Sequence, residues 1–141
     1  MKILLFATSP IKNVRTLDDA TPYLNQGPLK SYAEHGFGLN LVALKHNQTP
    51  IGMCGLIKRP ELDSPDIGYA LLDDYCGQGY GFEAASMVLT QGMASYQLET
   101  VQAITLPDNI ASNGLLTKLD FQLIKQIELY GMQNNLYQYQ K

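Results

Sequence analysis

CGQGYGFEAASMVL, residues Cys76 to Leu89, runs a glycine-punctuated loop straight into an apolar-periodic helix. Gly77, Gly79 and Gly81 leave backbone N–H groups unshielded by side chains. A helix beginning near Gly81 adds its free N-terminal donors and the positive end of its dipole. Together these features bind phosphate. An ordinary glycine-rich turn closing a strand would use the same residue types, so the flanking elements have to decide.

Upstream, Asp66 to Leu72 reads as a strand; downstream, Phe82, Ala85, Leu89, Met93 and Tyr96 follow helical spacing and predict a helix from Phe82 to Gln97. Gly92 weakens that helix by roughly 1 kcal/mol relative to alanine, unless packing compensates. Thr100 to Leu106, rich in Val, Ile and Thr, is the next strand. It must run parallel to Asp66–Leu72, because a whole helix crosses between them. Before this unit, Leu39 to Leu44 alternates as a strand buried largely on both faces would, His46 to Pro50 turns, and Ile51 to Ile57 returns. A two-proline loop, Lys58 to Pro65, leads back to Asp66. After the unit, Asn109 caps a helix through Leu119, and Phe121–Leu129 with Asn135–Gln140 forms a hairpin around Gly131. At the start, Met1 to Ala7 reads as a short strand, followed by helical segments opening at Thr16 and spanning Pro28 to Glu34. The expectation is one α+β domain over residues 1–141, with a mostly antiparallel mixed sheet and one parallel strand pair. Ligands bind such sheets at the carboxyl ends of the parallel strands, where the glycine loop lies.

Composition narrows the function. The chain has 141 residues, 45% of them hydrophobic, enough for one core. A net charge of -3 and scattered basic residues argue against a nucleic-acid partner. No apolar run approaches the roughly 20 residues of a membrane helix, and Ile3 to Ala7 is too short for a signal core. Cys54 and Cys76 are too few for a disulfide scaffold, which points to a cytoplasmic protein with reduced thiols. His35 and His46 stand apart from each other and from both cysteines, so no metal site is expected.

Two nucleotide motifs fail. Gly77-Gln78-Gly79 begins like the dinucleotide fingerprint, but the spacing is G-x-G-x-G with Phe82 following, and no Gly-Lys-Ser/Thr completes a P-loop. DIGYALLDDYCGQGYGFEAA, with Asn109-Ile110-Ala111-Ser112 and Lys118-Leu119-Asp120-Phe121, instead resembles the GNAT superfamily of acyl-CoA-dependent N-acetyltransferases. NVRTLDDATPYL and GPLKSYAEHGFG look most like the subgroup akin to ribosomal-protein N-terminal acetyltransferases. The resemblance implies the three-layer GNAT fold, its parallel pair splayed at the acyl-CoA site.

It also implies roles. Acetyl-CoA would lay its pyrophosphate on the amides of Gly77, Gln78, Gly79, Tyr80, Gly81 and Phe82. Its pantetheine arm would run beside Leu71 and Leu72 like an added strand, with the Leu71 amide polarising the thioester and Asn109 holding a pantetheine amide. No metal takes part. Asp66 falls where family members carry an acidic base, a solvated strand-end carboxylate being the plainer reading; Glu34 is the second choice. Ser112 would hydrogen-bond the thiolate, and Tyr69 would donate a proton if it is not simply core. The acceptor would be a small-molecule amine or a protein or peptide amine, and an acidic chain favours a cationic one.

Four departures from the family pattern stand out. Cys76 sits where Gln or Arg is usual, Leu116 where many members place a proton-donating tyrosine, and Asp120 where glycine is usual before Phe121. Only 13 residues precede Val14, too few for the family's first helix. One wall of the acceptor groove would then be missing or supplied by a neighbour, and an uncovered edge at Leu39–Lys45 would invite a homodimer. The alternative function is a CoA-binding or catalytically degenerate GNAT module with a sensing or interaction role.

Overall fold

The computed structural model describes the backbone of residues 3–5 and all of residues 38–141. The helical segments expected from Thr16 and from Pro28 to Glu34 lie outside the described residues, as does Glu34 itself. The elements are β1 (Ile3–Leu5), β2 (Leu39–Ala43), β3 (Pro50–Ile57), β4 (Asp66–Leu72), a short 3-10 turn (Asp73–Tyr75), α1 (Tyr80–Ser95), β5 (Thr100–Thr105), α2 (Ile110–Lys118), β6 (Gln122–Leu129) and β7 (Met132–Gln140).

The sheet order is β2-β3-β4-β5-β7-β6, with β1 paired to β4 outside that path. All pairings are antiparallel except β4 with β5. That parallel pair is aligned at one position, Asp66 opposite Gln102. Beyond it β4 and β5 no longer pair with each other, and β1 pairs with β4 from Ala70 to Leu72 in the gap. Each strand keeps its outer partner: β3 pairs with β4 from Ile57–Asp66 to Gly52–Leu71, and β7 follows β5 along its whole length.

Helix α1 lies on the face of β3, β4 and β5. Ala85, Leu89 and Met93 enter the core beside Cys54, Leu56, Ile67, Tyr69 and Leu71. The expected stripe holds in its middle and fails at its ends, since Phe82 and Tyr96 are each 42% exposed. Gly81 and Gly92 take the buried positions instead. At Gly92 a Cβ would come within 2.5 Å of Leu56 Cδ1, so the glycine lets the helix approach β3 closely. This contact is the compensation for its poor helix propensity. On the opposite face, Leu62 from the 58–65 loop closes a smaller cluster with Ile104, Leu129 and Leu136.

Two expectations change. The alternation of β2 predicts burial largely on both faces, yet Leu41 is 69% exposed; among the described residues β2 ends the sheet, in keeping with the edge expected at Leu39–Lys45. β7 begins three residues before the expected Asn135, because Tyr130 (φ 54°) and Gly131 (φ 76°) make a two-residue turn that pairs Leu129 with Met132.

Asp120 adopts the left-handed conformation (φ 68°) that its place before Phe121 demands. The Phe121 amide donates to Leu116 O (3.0 Å) and the Asp120 amide to Thr117 O (3.1 Å), the Schellman closure of α2. Asp120→Gly should therefore stabilise the fold by about 0.5 kcal/mol in urea unfolding, by relieving a backbone that aspartate only tolerates. A loss of stability would show that the Asp120 side chain contributes more than its backbone costs.

Candidate active site

Strand β4 leads through the 3-10 turn Asp73–Tyr75 into the glycine loop, and the diverging ends of β4 and β5 bound a cleft along which β1 pairs with β4. Gln102 N–H donates to Pro65 O at 2.9 Å, so the odd-numbered residues of β4 turn their backbone polar groups toward the β5 side. A Cβ at Gly52 would strike the Ala70 carbonyl, which accordingly faces β3. Leu71 thus presents its N–H to the side of β4 turned toward β5, where Leu4 of β1 lies opposite it.

The loop then supplies donors. Gly77 (φ 73°) and Gly79 (φ 88°) are left-handed, and a Cβ on either would meet nothing within 4 Å. These glycines serve conformation rather than space. Gly79 is the N-cap of α1 without a side-chain cap bond, and the first helical bond runs from the Glu83 amide to Gly79 O at 3.1 Å. Among the described residues, no acceptor takes the amides of Gly77 to Phe82. Six consecutive donors therefore converge at the positive end of a 16-residue helix. No Lys or Arg occurs from Pro60 to Thr117, and Asp73, Asp74 and Glu83 flank the loop. Within this stretch an anion would meet backbone donors and the helix dipole but no cationic side chain.

Gly81 differs from the other two glycines. A Cβ there would lie 2.6 Å from Tyr69 Cζ and closer still to the hydroxyl. Tyr69 projects from β4 beneath the first turn of α1 and props the loop. Burial, and then the neighbouring Cys76 and Cys54 thiols, push its phenol above the ordinary range. Cys76 lies at the loop's entry with Sγ 3.5 Å from Leu72 O, its thiol raised by burial and then by Asp73. Cys54 is buried, and desolvation pushes its thiol up to about 12. Neither thiol is activated as a nucleophile.

The far lip of the cleft is the end of β5 and the start of α2. Asn109 caps α2 by accepting from the Ser112 amide at 3.2 Å, and Ser112 is fully buried. Asn113, which sequence reasoning missed, ties this lip together. Its Oδ1 accepts from Thr105 Oγ1 and from Tyr137 OH (3.1 Å), and its Nδ2 donates to Pro107 O at 3.2 Å. Only its spacing of one turn from the capping Asn109 hinted at this. Leu116, one turn further on, is buried in the core.

Asp66 is placed elsewhere. It is fully buried at the closed end of the β4–β5 pair, where both carboxylate oxygens accept from Arg59 Nε at 3.0 Å. Arg59 also donates to Tyr130 OH at 3.1 Å. Five residues of strand, roughly 16 Å at about 3.3 Å each, separate Asp66 from Leu71. Neither the solvated strand-end carboxylate nor a base in direct reach of a thioester at Leu71 describes this position. Burial raises the Asp66 carboxyl from 3.8 to about 6 despite Arg59, which pulls it down. Arg59 goes the other way: burial would lower it, but Asp66 and Tyr130 outweigh that and hold it above its ordinary value. Asp66 is the more deeply buried partner, so desolvation dominates on its side; at neutral pH both remain charged.

Residues 5–122 match the acetyltransferase (GNAT) domain family. The chain belongs to the GNAT acetyltransferase family. Over 69 residues it is 33% identical to the uncharacterized N-acetyltransferase YoaA of Bacillus subtilis (strain 168), covering 49% of this chain and 39% of that protein. The match thus spans about two fifths of that relative's length. An acetyltransferase from Agrobacterium tumefaciens str. C58 shares the fold with a TM-score of 0.78 at 20% identity, over 90% of this chain and 74% of that one. Ribosomal-protein-S5-alanine acetyltransferase from Vibrio fischeri aligns with a TM-score of 0.70 at 20% identity, over 90% and 76%. Mycobacterium smegmatis RimJ, solved in complex with CoA-disulfide, aligns at 0.71 and 20%, over 87% and 61%. The GNAT fold read from the glycine loop and its flanking strands is the fold observed.

Two substitutions test this geometry. Gly81→Ala should cost roughly 1–3 kcal/mol in urea unfolding by forcing a Cβ into the Tyr69 ring, and Tyr69→Leu in the same chain should return much of it. Full tolerance of Gly81→Ala alone would mean the ring is not a prop. The unfolded Asp66 carboxyl titrates near 3.8 and the folded one near about 6, so the folded state holds the extra proton between those values. Its contribution to stability is greatest at low pH and declines as pH rises to about 6, above which the full cost of the buried charge is present. Arg59→Leu removes the compensation and should lose roughly 3 kcal/mol at pH 8 but much less at pH 5, where Asp66 is protonated. Equal losses at the two pH values would sink this account of the pair.

Proposed function

We propose that the chain is an acetyl-CoA-dependent N-acetyltransferase that moves an acetyl group to a primary amine in a ternary complex. The observation that carries this reading is the run of amides from Gly77 to Phe82, for which no acceptor is found among the described residues, following a β4 strand whose Leu71 N–H lies on the edge turned toward β5. The amides suit the pyrophosphate of the co-substrate. With no cationic side chain in this stretch, binding would depend only weakly on salt compared with a Lys/Arg-lined phosphate site. Leu71 N–H is a fixed donor for the oxygen that gains charge when the amine nitrogen attacks the thioester carbon. Collapse of that adduct breaks the carbon–sulfur bond and releases the thiolate, toward which Ser112 is assigned. Asn109 holds a pantetheine amide while continuing to cap α2.

The attacking amine must be neutral, hence a base is required. Asp66 is engaged by Arg59 and distant from Leu71, so it serves the closed end of the sheet rather than the amine directly. Glu34, expected on the acceptor side, is the carboxylate assigned to proton removal. Tyr69 is assigned to support the loop. No helix among the described residues is long and apolar enough to cross a membrane, and we place the protein in the cytoplasm. The acceptor is an amine on a small molecule or on a protein such as those named for the ribosomal-protein acetyltransferases, with a cationic one favoured by the net charge of -3.

A second reading, a CoA-binding module that has lost turnover, is favoured by Leu116, a buried apolar side chain where the resemblance implies an acid. Acetyl-CoA at about a hundred times its Kd should raise the melting temperature by about 9 °C, and thiol release with a panel of primary amines should report turnover. Tight binding without thiol release would favour the module. Gly79→Val should abolish the thermal shift by forcing a β-branched residue into φ 88°. No shift with either CoA or acetyl-CoA would remove both readings.

A further inference from the structure

Strand β1 lies along the part of β4 that the proposed cofactor reading assigns to the pantetheine arm. Its pairing is antiparallel, with Ile3 opposite Leu72, Leu4 opposite Leu71 and Leu5 opposite Ala70. The other edge of β4 is taken by β3 from Asp66 to Leu71. β1 therefore uses the edge facing β5, in the opening that begins beyond Asp66 and Gln102. The odd-numbered residues of β4 turn their polar groups to this side, so Leu4 and Leu71 form a pair that exchanges N–H···O bonds. The Leu71 amide, assigned to the thioester carbonyl, is thereby bonded to the chain's own backbone.

We propose that β1 and acyl-CoA are alternative occupants of this single backbone edge, so that the N-terminal strand closes the cleft in the free protein and is displaced when the cofactor binds. The proposal rests on the assignment of acyl-CoA to the Leu71 edge. An opened parallel pair leaves strand N–H and C=O groups near the core without sheet partners, and such groups demand one. An extended peptide and the two amides of a pantetheine arm answer that demand in the same way, by adding a strand to a free edge. Ile3-Leu4-Leu5 is an apolar run of the kind that suits an inner strand. Three paired residues are also few enough to yield to a ligand that brings its own phosphate anchor. Apparent affinity for the cofactor then falls by the fraction of time that the edge is open.

Hydrogen exchange of the intact protein with and without CoA tests this directly. CoA should protect the 77–89 segment and at the same time deprotect residues 3–5. Protection of both segments together would overturn the proposal. Leu4→Pro removes the donor facing Leu71 and should tighten CoA binding roughly three- to tenfold by calorimetry, while leaving the 77–89 protection pattern intact. A synthetic peptide of residues 1–8 should compete with CoA for the Leu4→Pro protein. An unchanged Kd, with no competition by the peptide, would defeat the proposal while sparing the cofactor reading. Failure of CoA to bind both wild type and Leu4→Pro would remove the cofactor reading and this proposal with it.

Discussion

Asp66 opposite Gln102 is the one aligned position between the two parallel strands, and the cleft exists because the alignment stops there. The closed end is secured by the Gln102 amide on Pro65 O and by the Arg59–Asp66 pair. Beyond it, β4 is held by β3 and β5 by β7, so each strand follows its antiparallel partner and the two diverge as a rigid wedge. A buried ion pair is a poor source of net stability. Its value here is positional, since it fixes the hinge point of the wedge.

The two lips of the wedge are set by different means. On the β4 side, Tyr69 supports Gly81 while Leu71, two residues on, turns its amide toward the β5 side, where β1 pairs with it, so one strand positions both the glycine loop and the edge proposed to hold the cofactor. On the β5 side, Asn113 gathers Thr105, Tyr137 and the Pro107 carbonyl into one small polar network. The elements proposed to bind the cofactor are built almost wholly from backbone, which needs glycine conformations and a helix end rather than charged side chains. That suits a stretch without a basic residue from Pro60 to Thr117.

Legibility followed how local each determinant is. The β4 strand was readable to its bounds, and α1 to within two residues, because period and glycine punctuation are properties of adjacent residues. The left-handed Asp120 was signalled only by the resemblance, which places a glycine before Phe121. The exposure of β2 was not readable, since an apolar alternation looks the same whether or not its faces are covered. Phe82 and Tyr96 misled for a related reason: glycines at 81 and 92 take the close-packed positions, and a glycine carries no hydropathy signal.

Fold class, the crossover that forces one parallel pair, and the donor-rich loop could all be read from the order of residues, because chain connectivity and backbone conformation are local. The role of Asp66 could not. A carboxylate at a strand start is a base or an ion-pair partner according to what lies across from it, and Arg59 arrives from a loop whose course sequence does not specify. The place of Ile3–Leu5 was hidden in the same way: any free edge would accept it, and the edge left open by diverging strands becomes visible only when the whole sheet is assembled.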